Sequence, residues 1–203
     1  NSTFILTAIG NPIPYTINYD DNTEDPTVSN LPAPTTDSTK ATSATITTNT
    51  PLRTGYSFKS WCDTETTDSG TTCPGTSYDS GDTIDFIDQT AGSSSNIITL
   101  YATWTINTYS LTATFAGSGV ESIKLCKVAG DCTGDDIIGT ISTSGTSITN
   151  LPYNSTFYLY PTFTTNYGLD NWNKTSETGT LSCTATDTCS SEQNPTFTMG
   201  LGN

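Results

Sequence analysis

The chain has 203 residues, a net charge of −14, no histidine and only 13% charged residues. The acidic excess argues against binding to nucleic acid, whose phosphates it would repel, and against docking on anionic membranes. The missing histidine removes the commonest general base and metal ligand, and with them a Ser-His-Asp triad. No apolar run reaches the roughly 18 residues of a helical membrane span, so no membrane insertion is expected in this segment. Asn1-Ser2-Thr3 lacks the basic start and long apolar region of a signal peptide, and the chain reads as a mature product or an excised fragment.

Taken in order, Asn1 to Asn11 contains a short apolar run, Phe4-Ile5-Leu6, and resembles Asn194 to Asn203: Asn, any residue, Thr-Phe, a short apolar run, then Gly-Asn. This echo predicts that residues 1–14 carry the last strand of a preceding module plus a hinge at Pro12 and Pro14. Chance likeness between two strand-like segments is the alternative. Tyr15-Thr16-Ile17-Asn18-Tyr19 alternates large and polar residues and predicts a strand. Asp20 to Pro26 reads as a turn, and residues 27–43, with Pro32 and Pro34, as a long loop. Ala44 to Thr48 predicts a short strand. Gly55-Tyr56-Ser57-Phe58-Lys59-Ser60-Trp61 predicts the next, with Tyr56 and Phe58 on one face and Trp61 on the other unless a bulge intervenes. Thr83 to Ile87 fits a strand or a single helical turn. Asn96 to Trp104 is the strongest strand, with Ile98, Leu100, Ala102 and Trp104 on one face.

A second module is predicted from Tyr109 to Phe115, matching Tyr15 onwards. Strands follow at Val120 to Val128 and Ile137 to Ile141, and Thr156 to Pro161 leads into Asn166-Tyr167-Gly168-Leu169-Asp170-Asn171-Trp172. That stretch echoes residues 55–61: an aromatic, an apolar residue two places on, and a Trp three further. A signature written twice implies tandem modules, here 15–106 and 107–203. No amphipathic helix of ten or more residues is legible, so the fold expected is mainly β: two small β-rich modules.

The six cysteines, Cys62, Cys73, Cys126, Cys132, Cys183 and Cys189, fall into three close pairs in Ser/Thr/Asp/Gly-rich segments. An even count in a Thr-rich, Lys-poor chain points to an oxidising, extracellular compartment. Nearest-neighbour pairing is expected, since each pair would clip a hairpin or loop. A zinc site is the alternative, but Cys-x-x-Cys and His are both missing. Reduction under denaturing conditions is therefore expected to raise the intact mass by about six hydrogens, two per bridge; free thiols in the unreduced protein would contradict the pairing.

Gly55-Tyr56-x-Phe58-x-x-Trp61, a Gly-containing loop, and then Leu100-Tyr101-Ala102-Thr103-Trp104 resemble the Listeria–Bacteroides repeat, the internalin-type B-repeat, which ends in Leu-Tyr-Ala-x-Trp. Residues 109–203 resemble a divergent relative ending in Pro-Thr-Phe-Thr-Met, here Pro195 to Met199, with Phe197 at its centre. The resemblance implies a β-grasp-like module repeated in bacterial cell-surface proteins, and it carries no catalytic residues and no cofactor. The repeat signature and core would comprise Tyr56, Phe58, Trp61, Leu100, Tyr101, Trp104, Tyr167, Leu169, Trp172 and Phe197. The chain departs from the pattern in its cysteines and its Thr-rich stretch at 35–50.

Glu65, Glu121, Glu177 and Glu192 show no convergence of the kind glycoside hydrolysis needs. Asp20, Asn22, Glu24 and Asp25 alternate as hard-oxygen ligands could, and Asp131, Asp135 and Asp136 form a smaller group, but the calcium-loop pattern is incomplete and a solvated turn is the expected reading. Lys59 and Lys124 lie among apolar residues, as an isopeptide crosslink would require, yet alternation points both outward. Tyr153, Tyr158, Tyr160, Tyr167 and Trp172 could form a sugar-stacking platform or simply a core. Asn1, Asn154 and Asn173 sit in Asn-x-Ser/Thr sequons. The expected function is non-catalytic: stalk, fibre or spacer repeats at a bacterial cell surface, with neighbouring repeats as partners and head-to-tail self-assembly as an option. The alternative is an adhesin module that binds a glycan or a cell-surface protein.

Overall fold

The computed structural model describes residues 5–7, 14–37, 43–66, 68, 70–85, 96–130, 132–172, 180–182 and 196–198. Among these the fold is mainly β, with no α-helix and a single 3-10 turn at Gly134–Asp136. The chain divides into two compact units, Asn1–Thr105 and Ile106–Asn203.

In the first unit the strands are β1 (Tyr15–Asp20), β2 (Thr35–Asp37), β3 (Ser43–Thr45), β4 (Tyr56–Cys62), β5 (Ser77–Tyr78), β6 (Thr83–Asp85) and β7 (Asn96–Ile106). They form a five-stranded sheet in the order β2-β1-β7-β4-β5 and a two-stranded pair, β3-β6. The two long strands β1 and β7 run parallel, from Tyr15 opposite Asn96 to Asp20 opposite Tyr101. Parallel neighbours need a long crossover, and everything from β2 to β6 supplies it. Tyr15, Ile17 and Tyr19 of β1 and Leu100, Ala102 and Trp104 of β7 turn one face inward. Ala44 of β3 and Ile84 of β6 join the same core with Ile46 and Trp61. Burying these side chains is the main stabilising term of the unit. The stretch Thr83 to Ile87 resolves as a strand over Thr83–Asp85; its last two residues lie outside the described ones.

Two differences from the sequence reading have physical causes. First, Trp61 does not stand apart from Phe58. Tyr56 and Phe58 pack against the core that contains Trp61, and the Phe58 ring lies 5.1 Å from Trp61 and 6.0 Å from Trp104. Burial stops alternating after Lys59, because Ser60, Trp61 and Cys62 are all buried. Large rings reach across neighbouring positions, so a period of two no longer predicts their contacts. Second, the polar stretch 27–43 contains β2, which pairs antiparallel with β1. Thr35-Thr36-Asp37 has no apolar alternation; it is a strand because β1 offers it an edge. The short strand expected at Ala44 to Thr48 is β3, one residue earlier and shorter.

The second unit contains β8 (Thr108–Ala113), β9 (Val120–Cys126), β10 (Ile137–Ile141), β11 (Thr146–Pro152), β12 (Thr156–Phe163), β13 (Thr180–Ser182) and β14 (Thr196–Thr198). Its five-stranded sheet has the order β10-β9-β12-β14-β13, and β8 pairs with β11. All of these pairings are antiparallel. Ile123 and Leu125 of β9 and Phe157 and Leu159 of β12 meet Leu151 of β11 in one core, with Tyr109, Leu111 and Ala113 of β8 packed against it. Pro161 is tolerated inside β12 because β14 pairs only with Thr156–Tyr158; beyond Tyr158 a missing N–H costs no bond to β14. The two units therefore differ in topology: β8, which matches β1 in sequence, has no parallel partner among the described residues.

Two of the three nearest-neighbour disulfides are present, Cys62–Cys73 and Cys126–Cys132, with Cα atoms 5.6 and 5.9 Å apart. Cys183 and Cys189 lie outside the described residues. No helix of the described residues is long and apolar enough to cross a membrane.

Candidate functional site

The first unit has an open cleft of about 610 Å³ whose walls include Thr27, Leu52, Arg53, Tyr56 and Phe58. It forms where two chain segments are laced together. Ser29 and Leu52 exchange backbone hydrogen bonds of 2.9 Å in both directions, and the Tyr56 N–H donates to the Arg53 carbonyl at 3.1 Å. This folds Arg53 back onto its own strand. Its side chain is only 6% exposed, and its Nε donates to Asp25 Oδ2 at 3.2 Å. The guanidinium stacks 3.8 Å from the Tyr56 ring centroid and 5.7 Å from that of Trp104. A buried cation must be paired, and a planar guanidinium over an aromatic face is a favourable way to add to an ion pair. Asp25 is fixed in turn, accepting the Thr27 N–H at 2.9 Å. Leu52, 56% exposed, forms an apolar rim.

Behind this joint lies a second one. The turn Asp20–Asn22 is capped by its own carboxylates: Asp20 Oδ1 accepts from the Asn22 N–H at 2.7 Å and Asp21 Oδ1 from the Thr23 N–H at 3.2 Å. Asn22 takes φ 56°, a left-handed value that Asn tolerates better than most residues. Its buried side-chain amide donates to the Ala102 carbonyl at 3.1 Å and to Thr66 Oγ1 at 3.2 Å. Gly70 accepts the Trp104 N–H at 2.7 Å, and the Trp104 indole N–H donates to the Asp21 carbonyl at 2.9 Å. The Cys62–Cys73 loop is thereby tied to β7 and to the β1 turn. Between β4, β5 and β7 three hydroxyls form a chain, Ser77 to Ser60 at 2.8 Å and Ser60 with Thr103 at 2.7 Å. Asp20, Asp21 and Asp25 each turn a carboxylate oxygen onto their own turn, and no group of three or more Cys, Asp or Glu placed to hold a metal ion occurs among the described residues.

In the first unit Trp61, Leu100 and Trp104 are buried and Tyr101 half-buried. The two copies of the signature do not share a conformation. Residues 55–61 lead into β4, whereas 164–172 form a turn and an irregular segment. Both copies open on a left-handed residue, Gly55 at φ 76° and Asn166 at φ 71°, but the second then has Gly168, Asp170 and Asn171, which strands disfavour, where the first has Ser57, Lys59 and Ser60. Tyr167 is 55% exposed, while Leu169 and Trp172 are half-buried, Trp172 against the second core. The Tyr167 ring lies on Gly119, which has φ +94° and where an added Cβ would overlap the ring. Phe197 stands opposite Phe157 in the ladder. Tyr160 is clipped to the disulfide loop: its hydroxyl accepts from the Gly130 N–H at 2.8 Å and donates to the Val128 carbonyl at 3.4 Å. Tyr153 and Tyr158 are half-buried. Of the sequence's aromatic group, only Tyr167 presents most of its surface to solvent.

Lys59, Glu65, Glu121 and Asn154 are exposed and Lys124 half-buried; Asn1, Asp131, Asn173, Glu177 and Glu192 lie outside the described residues. The feature that sequence reasoning missed is Arg53. A lone Arg between Pro51 and Gly55 in a chain with six Lys and Arg in all was the available signal.

Electrostatics give the first unit a defined pH range. Asp25 is held below the usual carboxylate range by the Thr27 N–H, then by the Thr27 hydroxyl and Arg53. Burial pushes Asp63 up, but the Thr76 N–H and the Thr64 and Thr76 hydroxyls outweigh it and the net shift is downward. The hydroxyls of Thr71, Thr72 and Thr66 hold Asp68 far below its ordinary value. These carboxylates stabilise the fold above about pH 4, and that contribution is lost as pH falls through their depressed values. Tyr101 is raised, first by burial and then by Glu65 and Asp20. Its stabilising effect is present below about pH 10 and disappears as pH rises through the raised value. Melting temperature is therefore expected to be flat near neutrality and to fall on both sides. Tyr101→Phe should flatten the alkaline side only; an alkaline limb unchanged in that variant would refute the assignment.

Comparison of the chain with protein-family models, with curated proteins and with solved structures returns no match.

Proposed function

We propose that the chain is a pair of non-catalytic, extracellular repeat modules of a bacterial surface protein, acting as a stalk, fibre or spacer. The observation that carries this reading is how the polar side chains of the first unit are used. Arg53, Asp25, Asn22, Asp63 and Asp68 each hold a turn or a loop in place, which suits a module selected to keep its shape. The two disulfides suit an oxidising location. The parallel pairing of the first and last strands, β1 and β7, supports a β-grasp-like, B-repeat-type reading of the first unit. Small-angle scattering of one, two and three tandem copies tests the proposal. A maximum dimension that grows by a constant increment per copy supports a stalk, and a dimension that levels off overturns it.

A second reading, adhesion to a glycan or a cell-surface protein, is favoured by the cleft rimmed by Leu52, Tyr56 and Phe58 and by the exposed Tyr167 ring. Aromatic faces pack well on the apolar faces of sugars. A glycan array and intact partner cells provide the test. Saturable binding abolished by Tyr167→Ala or Leu52→Asp in a folded protein would establish adhesion; full binding retained in both variants would remove these two surfaces from it.

A further inference from the structure

The echo between the two ends of the sequence acquires a structural meaning from β14. Residues 1–11, Asn-Ser-Thr-Phe-Ile-Leu-Thr-Ala-Ile-Gly-Asn, and 194–203, Asn-Pro-Thr-Phe-Thr-Met-Gly-Leu-Gly-Asn, align with one extra residue in the first. Asn, Thr, Phe, Gly and Asn then recur in order, Leu6 aligns with Met199 and Ile9 with Leu201. In the second unit the shared Thr-Phe lies in β14, which hydrogen-bonds on both sides. Phe197 stands opposite Phe157 of β12 and Leu181 of β13, and the Thr198 hydroxyl pairs with that of Thr156 at 3.1 Å. In the alignment Ile5 takes the place of Thr198, so the first copy is more apolar than the strand already seated in a sheet. Yet Ile5 is 84% and Leu6 92% exposed, and both lie outside any strand. A single exposed aliphatic residue is ordinary, but two in succession within a sequence that elsewhere fills a sheet mark a strand without its ladder.

We infer that the segment carrying Ile5 and Leu6 pairs as a β14-type strand with another unit of the second kind, in the gap between its β12-type and β13-type strands. There the segment takes the place that 196–198 take here. Main-chain hydrogen bonds to both neighbours supply the attachment, and the Phe opposite a β12 Phe sets the register. The junction between successive repeats is then a strand that closes one unit and precedes β1 of the next. The inference deepens the repeat-module reading and rests on it.

The test is a graft in the full chain, with residues 194–203 replaced by the sequence of 1–11. Two controls accompany it: a scrambled version of the same eleven residues, and the graft carrying Phe4→Asp. Trp172 fluorescence and hydrogen exchange at Thr156–Tyr158 report the second unit. The expected result is a graft that melts within about 4 °C of the parent with protection retained, while both controls melt more than about 8 °C lower. A graft as unstable as the scrambled control overturns the inference, and so does a scrambled control as stable as the graft, because the slot would then accept any strand. Either failure leaves the scattering result on tandem copies unaffected, so the two readings fall separately.

Discussion

Trp104→Ala is expected to destabilise the first unit by about 3–5 kcal/mol, the usual cost of removing a large buried aromatic. Against a total stability of about 5–15 kcal/mol for a domain, that removes a large share of the margin. The magnitude follows from what the indole holds together. Trp104 is 1% exposed at the inner face of β7. Its ring meets Phe58 edge-on at 6.0 Å and lies beside the Arg53 guanidinium. Its N–H donates to the Asp21 carbonyl at 2.9 Å. Truncation opens a cavity, strands that carbonyl, and removes one of the two aromatic faces beside a buried cation. Trp104→Phe separates these effects: it keeps most of the volume and loses the hydrogen bond, with an expected cost of about 1–2 kcal/mol. Urea unfolding followed by the remaining tryptophans gives both values. A Trp104→Ala midpoint matching the parent would mean that the ring does not organise the unit.

Gly70→Ala should approach the same severity from a single added methyl group. Gly70 has φ +78°, where a Cβ is strained in any surroundings. The surroundings also refuse it: the added carbon would sit 2.8 Å from the Ala102 carbonyl oxygen and 2.8 Å from Trp104 Cδ1. One neighbour is the backbone of a central strand and the other a packed ring, so neither can step aside. The strain of the left-handed backbone and the overpacking add to about 2–4 kcal/mol. Gly70 also accepts the Trp104 N–H at 2.7 Å, so the two sites are coupled. In the double variant Gly70→Ala/Trp104→Ala the cost should be less than the sum of the two, because the truncated ring no longer meets the new methyl. Strict additivity would show that the loop and the ring do not touch in solution. Reduction of Cys62–Cys73 provides an independent check, since freeing the loop that carries Gly70 should weaken the same contact.

These two residues also show where the sequence stops being informative. Trp104 was legible in one dimension: Ile98, Leu100, Ala102 and Trp104 alternate, and alternation on a strand is a property of the backbone alone. The same rule located β1, β9, β10 and most of β12, and the even, closely spaced cysteines located Cys62–Cys73 and Cys126–Cys132. Gly70 was not legible, because its importance lies in an approach to β7 across a disulfide-closed loop. Arg53 was missed for the same reason: its partners Asp25, Tyr56 and Trp104 are separated in sequence and brought together only when the β1 turn, β4 and β7 assemble. The short strands Thr35–Asp37, Ser77–Tyr78 and Thr146–Pro152 carry little apolar pattern and exist because a neighbour offers hydrogen bonds. The echo between Tyr56-x-Phe58-x-x-Trp61 and Tyr167-x-Leu169-x-x-Trp172 shows the converse limit. A shared residue pattern became a strand in one unit and an irregular segment in the other although both begin on a left-handed residue, Gly55 and Asn166; the copies part afterwards, where Gly168, Asp170 and Asn171, residue types that strands disfavour, stand in place of Ser57, Lys59 and Ser60. By itself the sequence pointed to the β class, through backbone periodicity, and to the bridges Cys62–Cys73 and Cys126–Cys132, through chain proximity. The strand order, the parallel β1–β7 pair and the Arg53 joint were decided by tertiary structure, because each depends on burial shared between residues that the chain keeps far apart.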